Sequence, residues 1–83
     1  ALKLGWEVLD NPYYSPIVLN ASNEIAVDAF LKNQVKFIDI YSIVYETLNF
    51  CNTSIPKNVE DIIEIDRIAR INSLDLIRRK FNK

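Results

Sequence analysis

The sequence lacks several residue types on which common active sites depend. It has no histidine among its 83 residues, which excludes Ser-His-Asp and Cys-His catalysis and ordinary zinc sites. Its one glycine, Gly5, cannot build a glycine-rich phosphate-binding loop. Its one cysteine, Cys51, cannot form an internal disulfide. No apolar stretch approaches the roughly 18 residues that a membrane span requires, so we expect no membrane partner.

The composition is that of a small folded domain. Hydrophobic residues make up 49% of the chain, charged residues 25% and aromatic residues 11%, which excludes a disordered tail. The length allows a single domain, residues 1–83. The chain begins with Ala1 and contains no methionine, from which we expect a segment of a longer protein.

Two helical segments are predicted in the first half of the chain. The first covers residues 1–9 and ends at Asn11-Pro12, because the residue before a proline is pushed out of the helical region. The second starts near Asn20 or Ser22, whose side chains favour N-caps. Between them, residues 15–19 are the only candidate strand. The apolar face of the second segment contains Ile25, Ala26, Ala29 and Phe30 and is widened by Val27 and Leu31.

The third segment has the clearest helical pattern. Asp39 is its predicted N-cap, and Ile38 with Ile43 fits a hydrophobic staple. The segment should end within residues 49–52. Its apolar face consists of Ile40, Ile43, Val44, Thr47 and Leu48, which repeat at helical spacing.

The fourth segment begins at Asn58, with Asp61 in a capping arrangement, and continues to Arg79. Its apolar face consists of Val59, Ile62, Ile65, Ala69 and Leu76, broadened by Ile63, Ile68, Ile71 and Ile77. No other stretch alternates as a strand should. The sequence therefore predicts an all-α fold, a small bundle of three to four helices.

Three groups of residues are candidates for chemical sites. The acids Glu60, Asp61 and Glu64 indicate a solvated first turn of a helix, since no histidine accompanies them. Cys51 has no activating base and is interpreted as a buried or half-buried thiol. Ser73 resembles the modified serine of acyl carrier proteins, but it lies inside a continuing helix and basic residues follow it. We therefore predict no catalytic, cofactor-binding or metal-binding residue in this chain.

Basic residues are concentrated near the end of the chain. From Arg67 onward there are six basic residues and one acid, a net +5, against −6 before it. Basic residues at the end of a helix complement the helix dipole, and Phe81 alone would stack on bases, so we expect no nucleic-acid partner. Asp66 and Arg70 lie four residues apart and predict an ion pair with a structural role, such as bonding to another helix.

Several motifs together resemble the 1-deoxy-D-xylulose 5-phosphate reductoisomerase family. The run LNASNEIAVDAFL, residues 19–31, is similar to the Leu-Asn-Ala-Ala-Asn-Glu … Ala-Phe-Leu signature near that family's C-terminus. VKFIDI, residues 35–40, resembles its Phe-x-Asp-Ile element, and IIEIDRIAR, residues 62–70, its final Asp-x-x-Ala-Arg helix. ALKLGWEVLDNP, residues 1–12, is similar to its lead-in helix. Ser22 replaces a usual alanine, and the tail from Asn72 matches poorly.

The resemblance implies the C-terminal helical domain of a larger enzyme. In that family the enzyme converts 1-deoxy-D-xylulose 5-phosphate to 2-C-methyl-D-erythritol 4-phosphate in non-mevalonate isoprenoid biosynthesis, with NADPH and divalent Mg or Mn. The cofactor and metal sites belong to the dinucleotide-binding and catalytic domains. Those domains are the implied partners, within a homodimer that is cytoplasmic in bacteria and lies in a plastid-type organelle in eukaryotes.

The fragment itself is then expected to support the catalytic domain and to be inert alone. We assign structural roles to Asn20, Asn23 and Glu24 at the start of the second segment, to Asp39 as a cap, and to Asp66 with Arg70. Asn20 and Glu24 have an alternative role, reaching the catalytic domain. The alternative function is a stand-alone helical protein-interaction module.

The first segment and its connection are rich in large apolar side chains. Trp6, Tyr13 and Tyr14 are expected to contribute to an exposed apolar patch that meets the catalytic domain. Large exposed patches favour association, so the free fragment is expected to self-associate.

Overall fold

Three helices account for most of the structure. The computed structural model describes residues 15–51 and 55–81. Helix α1 is Pro16–Leu31, α2 is Phe37–Phe50, α3 is Val59–Leu76, and a π-helical segment, Ile77–Phe81, continues α3 directly. These residues contain no strand, so the all-α prediction is confirmed and the candidate strand at residues 15–19 is wrong. The predicted first segment, residues 1–9, lies outside the described residues.

Helix α1 begins earlier than its sequence pattern predicted. Ser15 is the N-cap, and its Oγ accepts a hydrogen bond from the Val18 N–H at 3.3 Å. Pro16 occupies the first helical position, where its fixed φ suits a helix and its missing N–H is not needed. The predicted N-caps, Asn20 and Ser22, are therefore wrong, because both lie inside the helix.

Helix α1 ends in a tight turn. Asn33 has a φ of 60°, a left-handed conformation that asparagine tolerates better than most residues. Its N–H donates to the Phe30 carbonyl at 3.0 Å, and the Gln34 N–H donates to the Ala29 carbonyl at 2.9 Å. Leu31, in the last turn, is 72% exposed, so its predicted place on the apolar face is wrong.

Asp39 stabilises the start of α2 from a different position than predicted. The N-cap is Lys36, and Asp39 is the third helical residue. The Lys36 N–H donates to Asp39 Oδ2 at 2.9 Å, and the Asp39 N–H donates to the Lys36 carbonyl at 2.9 Å. The predicted staple of Ile38 with Ile43 is also wrong, since Ile38 is exposed. The Phe37 ring instead packs edge-on against Phe30, with ring centroids 5.7 Å apart.

Helix α3 begins and continues as its sequence predicted. Asn58 is the N-cap and its Oδ1 accepts a hydrogen bond from the Asp61 N–H at 2.8 Å. The Asp61 carboxylate in turn accepts from the Lys57 N–H at 2.9 Å. Beyond Leu76 the chain stays helical through the π-helical segment. The wider turn accompanies a buried Ile77 and a half-buried Phe81 that pack against the core.

The predicted apolar face of α3 is buried from Ile65 onward but not in the first two turns. Ile65, Ala69 and Leu76 are buried as expected, and Ser73 lies between them. Val59 and Ile62, in the first turns, are 69% and 43% exposed. The prediction for those two residues is wrong, because the other described helices leave both side chains open to solvent.

The core consists of two clusters along α1, which packs against both other helices. One cluster lies where the first half of α1 meets the second half of α2 and the first half of α3. The buried residues of this cluster are Val18, Ala21, Val44, Leu48, Cys51, Ile65 and Ala69. The other cluster lies where the second half of α1 meets the start of α2 and the end of α3. The buried residues of this cluster are Ala26, Ala29, Val35, Ile43, Leu76 and Ile77. Helix α2 is therefore antiparallel to α1, and α3 is parallel to α1.

Replacing Asp39 tests its contribution to the start of α2. Asp39→Ala removes the acceptor for the Lys36 N–H and should lower the free energy of unfolding by about 0.5–1.5 kcal/mol. Asp39→Asn keeps an oxygen acceptor and should cost less. Urea denaturation of both variants measures the difference. Equal losses would mean that the carboxylate charge matters more than the hydrogen bond.

Candidate functional site

The most elaborate polar site of the described residues joins α1 to α3 through Arg70. Its guanidinium group bonds Asp66 on its own helix, with Nε 2.9 Å from Oδ2. It also reaches Glu24 on α1, with Nη1 3.2 Å from Oε1 and Nη2 3.4 Å from Oε2. The predicted Asp66–Arg70 ion pair is therefore confirmed, and its expected bond to another helix is made to Glu24.

The spacing of the residues explains this geometry. Asp66 and Arg70 lie four apart, so they share one face of α3, and the planar guanidinium group presents paired donors to a carboxylate. The Arg70 side chain is 33% exposed, so it lies in part between the helices. Hydrogen bonds to Glu24, and next those to Asp66, raise the pKa of Arg70, which keeps it cationic.

The three residues predicted at the start of the second segment have different surroundings. Asn20, Asn23 and Glu24 lie within α1, whose first residue is Pro16, so their placement at a helix start is wrong. Glu24 binds Arg70. Asn20 lines a groove on the surface, and Asn23 is exposed.

A shallow apolar groove lies beside this ion-pair cluster. It is formed by the first turns of α1 and α3 and has a volume of about 440 Å³; its lining residues are Pro16, Ile17, Asn20, Ile62, Ile63 and Asp66. Asp66 therefore belongs to both the groove and the ion-pair cluster. Ile63 is 62% exposed, so the groove presents apolar surface to solvent.

Each helix also buries one hydroxyl group. Ser22, Thr47 and Ser73 are buried, and each bonds to the carbonyl four residues earlier, at 2.7, 2.7 and 2.8 Å. Thr47 Oγ1 and Ser73 Oγ also approach each other to 3.3 Å between α2 and α3. No buried side-chain nitrogen or oxygen in residues 15–51 and 55–81 lacks a partner. Sequence analysis missed Ser22 and Ser73 as core residues, although both fall at helical spacing from buried alanines.

Cys51 is a buried thiol, as predicted. It is the C-cap of α2, and Asn72 Nδ2 donates to its Sγ at 3.1 Å. Burial raises the pKa of the Cys51 thiol, and the Asn72 hydrogen bond only partly opposes that rise. A thiol whose pKa is raised holds little thiolate near neutral pH, which does not suit it to act as a nucleophile.

Several of the charged groups considered in the sequence form ion pairs, either with a residue one turn away or with α2. Glu64 binds Arg67 at 2.6 Å, which lowers the pKa of Glu64. Arg79 binds Asp75 at 2.8 Å, and Lys80 reaches Glu46 on α2 at 2.9 Å. These pairs neutralise much of the basic end of the chain, in agreement with its interpretation as a helix terminus.

The acidic and cysteine side chains of the described residues do not gather into a metal-binding cluster. Residues 15–51 and 55–81 contain no group of three or more His, Cys, Asp or Glu side chains suited to a metal ion. Within the same ranges, no helix is long and apolar enough to cross a membrane. Their polar groups hold helices together, and this arrangement defines a small helical packing domain.

Comparison with known proteins places this packing domain in a family. The family model for the DXP reductoisomerase C-terminal domain matches residues 1–72. The chain belongs to this family, as the sequence motifs predicted. No solved structure matches the chain.

Relatives are named 1-deoxy-D-xylulose 5-phosphate reductoisomerase. The protein of Ehrlichia canis is 48% identical over 71 residues, which cover 83% of this chain and 18% of that protein. The protein of the Wolbachia of Brugia malayi is 42% identical over 83 residues, 96% of this chain and 21% of that protein. The protein of Proteus mirabilis is 40% identical over 76 residues, 92% and 19% respectively. The chain thus spans about a fifth of the length of these relatives.

Substitutions that remove one negative charge test whether the Arg70 cluster holds α1 against α3. Glu24→Gln should lower the stability of the domain, and the loss should shrink at about 1 M salt, where screening acts within about 3 Å. The matched control is Glu64→Gln, which removes an exposed pair within α3 alone. Denaturant titrations at low and high salt compare the two. An equal or smaller loss for Glu24→Gln would mean that the bond between α1 and α3 stabilises the domain no more than the exposed pair within α3 does.

Two substitutions at Ser73 test how closely α2 and α3 approach. Ser73→Ala leaves Thr47 bonded to the Ile43 carbonyl and should cost less than about 1.5 kcal/mol in unfolding free energy. Ser73→Val adds volume at a fully buried position and should cost about 1–3 kcal/mol. Urea denaturation measures both. A neutral Ser73→Val would show that the helices are not tightly packed at this point.

Proposed function

We propose that this chain is a non-catalytic brace within a 1-deoxy-D-xylulose 5-phosphate reductoisomerase. The observation that carries the proposal is the family match over residues 1–72 in a chain that spans about a fifth of its relatives. The packing supports it: Ser22, Thr47 and Ser73 bond within the bundle, and Arg70 joins two helices. A domain of this kind contributes rigidity rather than reacting groups.

The chemistry of the whole enzyme is assigned to its other domains. They bind NADPH and divalent Mg or Mn and convert 1-deoxy-D-xylulose 5-phosphate to 2-C-methyl-D-erythritol 4-phosphate, an oxidoreductase and isomerase step of non-mevalonate isoprenoid biosynthesis. The parent is a homodimer in the bacterial cytoplasm, or in a plastid-type organelle of a eukaryote. In this arrangement the present chain contacts the catalytic and dinucleotide-binding domains of its own polypeptide.

Kinetic assays of the isolated chain and of the parent enzyme test this division of roles. The 83-residue chain should oxidise no NADPH when given substrate and Mg²⁺ or Mn²⁺, while the parent should turn over under the same conditions. Any turnover by the isolated chain above the blank would contradict the proposal. A gene that encodes no dinucleotide-binding motif upstream of Ala1 would favour the stand-alone interaction module instead.

A substitution in the core of this domain should lower the thermal stability of the parent enzyme more than it changes the parent's catalysis. Ser73→Val in the parent should lower the temperature of irreversible inactivation while leaving KM for substrate and NADPH unchanged at low temperature. The control is Ile71→Ser at an exposed position of the same helix, which should change neither. If Ser73→Val altered KM without changing thermal inactivation, the domain would act on the active site directly.

A further inference from the structure

The side of α3 that faces away from α1 and α2 carries a row of exposed side chains, the α3 stripe. Its members are separated alternately by four and three residues, which is the spacing of a coiled-coil contact. They are Glu60, Glu64, Arg67, Ile71, Leu74 and, in the π-helical segment, Arg78. Ile63 adjoins the stripe, and Ile63, Ile71 and Leu74 are all more than half exposed. The described helices therefore leave both charged and apolar surface of α3 uncovered.

The charges of the α3 stripe change sign from one end to the other. Glu60 and Glu64 come first, and Arg67 and Arg78 follow them. This order suits the dipole of α3, and it also has a consequence for association. An antiparallel copy of the stripe places acidic residues opposite basic ones, whereas a parallel copy places like charges opposite each other, which is unfavourable.

The two outermost charges of the α3 stripe are only weakly engaged within the chain. In the part of the chain that the structure describes, the Glu60 carboxylate forms no hydrogen bond or ion pair. Arg78 Nη2 lies 3.9 Å from Asp75 Oδ1, while Arg79 Nε lies only 2.8 Å from the other oxygen of that carboxylate. Glu60 and Arg78 therefore retain the capacity to bond to a partner molecule.

We propose that the α3 stripe binds the same stripe of a second copy of this chain, with the two helices antiparallel. With the two-fold axis at the level of Ala69, residues equally far from Ala69 face each other. Glu60 and Arg78 are each nine residues from Ala69, so Glu60 meets the partner's Arg78 and Arg78 meets the partner's Glu60. Because both copies use the same surface, the assembly closes at two subunits.

The same register brings the middle of the stripe into contact. Arg67 and Ile71 are each two residues from the level of the axis, so the aliphatic part of Arg67 lies over the partner's Ile71. The guanidinium group of Arg67 stays bonded to Glu64 of its own helix, at 2.6 Å, which reduces the repulsion between the two arginines near the axis. Ile63 lies six residues before that level and Leu74 five after it, so Ile63 packs beside the partner's Leu74.

The size of this contact implies a weak dimer. Three exposed aliphatic side chains from each copy make a small interface, of the kind found in transient complexes. The two pairs of Glu60 with Arg78 lie at its ends, about 27 Å apart, where salt screens them. The dimer should therefore form reversibly at high protein concentration and low salt. It should be absent at the low protein concentration of a kinetic assay, so it plays no part in assays of the parent enzyme.

This pairing involves the chain alone and does not depend on its proposed function in a larger enzyme. Trp6, Tyr13 and Tyr14, from which the sequence predicts self-association, lie outside the described residues, and the pairing of the α3 stripes does not require them. The alternative occupant of the stripe is a further domain of the parent enzyme. In that case the isolated chain would be monomeric.

Two complementary charge reversals test the antiparallel pairing. Sedimentation equilibrium of the wild-type chain at low salt, over a series of concentrations, should show monomer and dimer in exchange. Glu60→Arg places two arginines opposite each other at both ends of the contact, and Arg78→Glu places two glutamates there. Each variant alone should therefore raise the dissociation constant about tenfold or more. An equimolar mixture of the two variants should restore association, because each end then joins one arginine to one glutamate.

The matched control is Arg79→Glu, which makes the same change in net charge one residue away and outside the stripe. It should change the dissociation constant less than about twofold, since charges away from the contact are screened. Leu74→Ser, which keeps every charge, should weaken the dimer, and far-ultraviolet circular dichroism checks that all variants keep their helices. A strictly monomeric wild-type chain, equal weakening by Arg78→Glu and Arg79→Glu, or a mixture that associates no better than either variant alone would each overturn the proposal.

Discussion

The close approach of α1 to its two neighbours is the constraint on which the rest of the bundle depends. The buried residues of α1 are almost all small: Val18, Ala21, Ser22, Ala26 and Ala29. Small side chains let another helix pack directly against the backbone, and α1 does this with both α2 and α3. The larger aliphatic residues of the core come from those two helices, so a bulky residue on α1 would separate both contacts together.

This narrow packing also explains why hydroxyl groups occupy core positions. A hydroxyl group fills little more volume than a methyl group, and within a helix it bonds to the carbonyl four residues earlier. Ser22, Thr47 and Ser73 are satisfied in this way, so burying them leaves no polar group without a partner. The Arg70 cluster lies at the partly exposed edge of the contact between α1 and α3. There Arg70 on α3 binds Glu24 on α1 and Asp66 on its own helix.

Local sequence signals predicted the helices well and their first turns less well. The end of α2, the N-cap Asn58 and the continuation of α3 follow from patterns within a few residues. The start of α1 does not, because Pro16 has two opposite meanings: it disrupts a helix interior and favours the first helical position. Asp39 was correctly predicted to stabilise the start of α2, but it was assigned to the N-cap and is in fact the third helical residue. The two positions are hard to distinguish from sequence, because aspartate accepts backbone hydrogen bonds at both.

The candidate site was predictable only in its local half. Asp66 and Arg70 are four residues apart, and that spacing alone indicates their ion pair. The partner Glu24 lies 46 residues from Arg70 in sequence, and nothing in either local pattern connects them. Ser73 was missed for a related reason: a serine in an apolar helix is read as polar until the neighbouring helix is known to approach it.

Helix α3 shows how a sequence pattern can extend further than the surface that covers it. Its apolar positions continue with helical spacing from Val59 to Leu76, but burial by α1 and α2 begins only at Ile65. Apolar periodicity records every surface a helix packs against, whereas the described residues supply only some of those surfaces. The first two turns of α3 therefore carry the apolar spacing of a packed helix without a described neighbour.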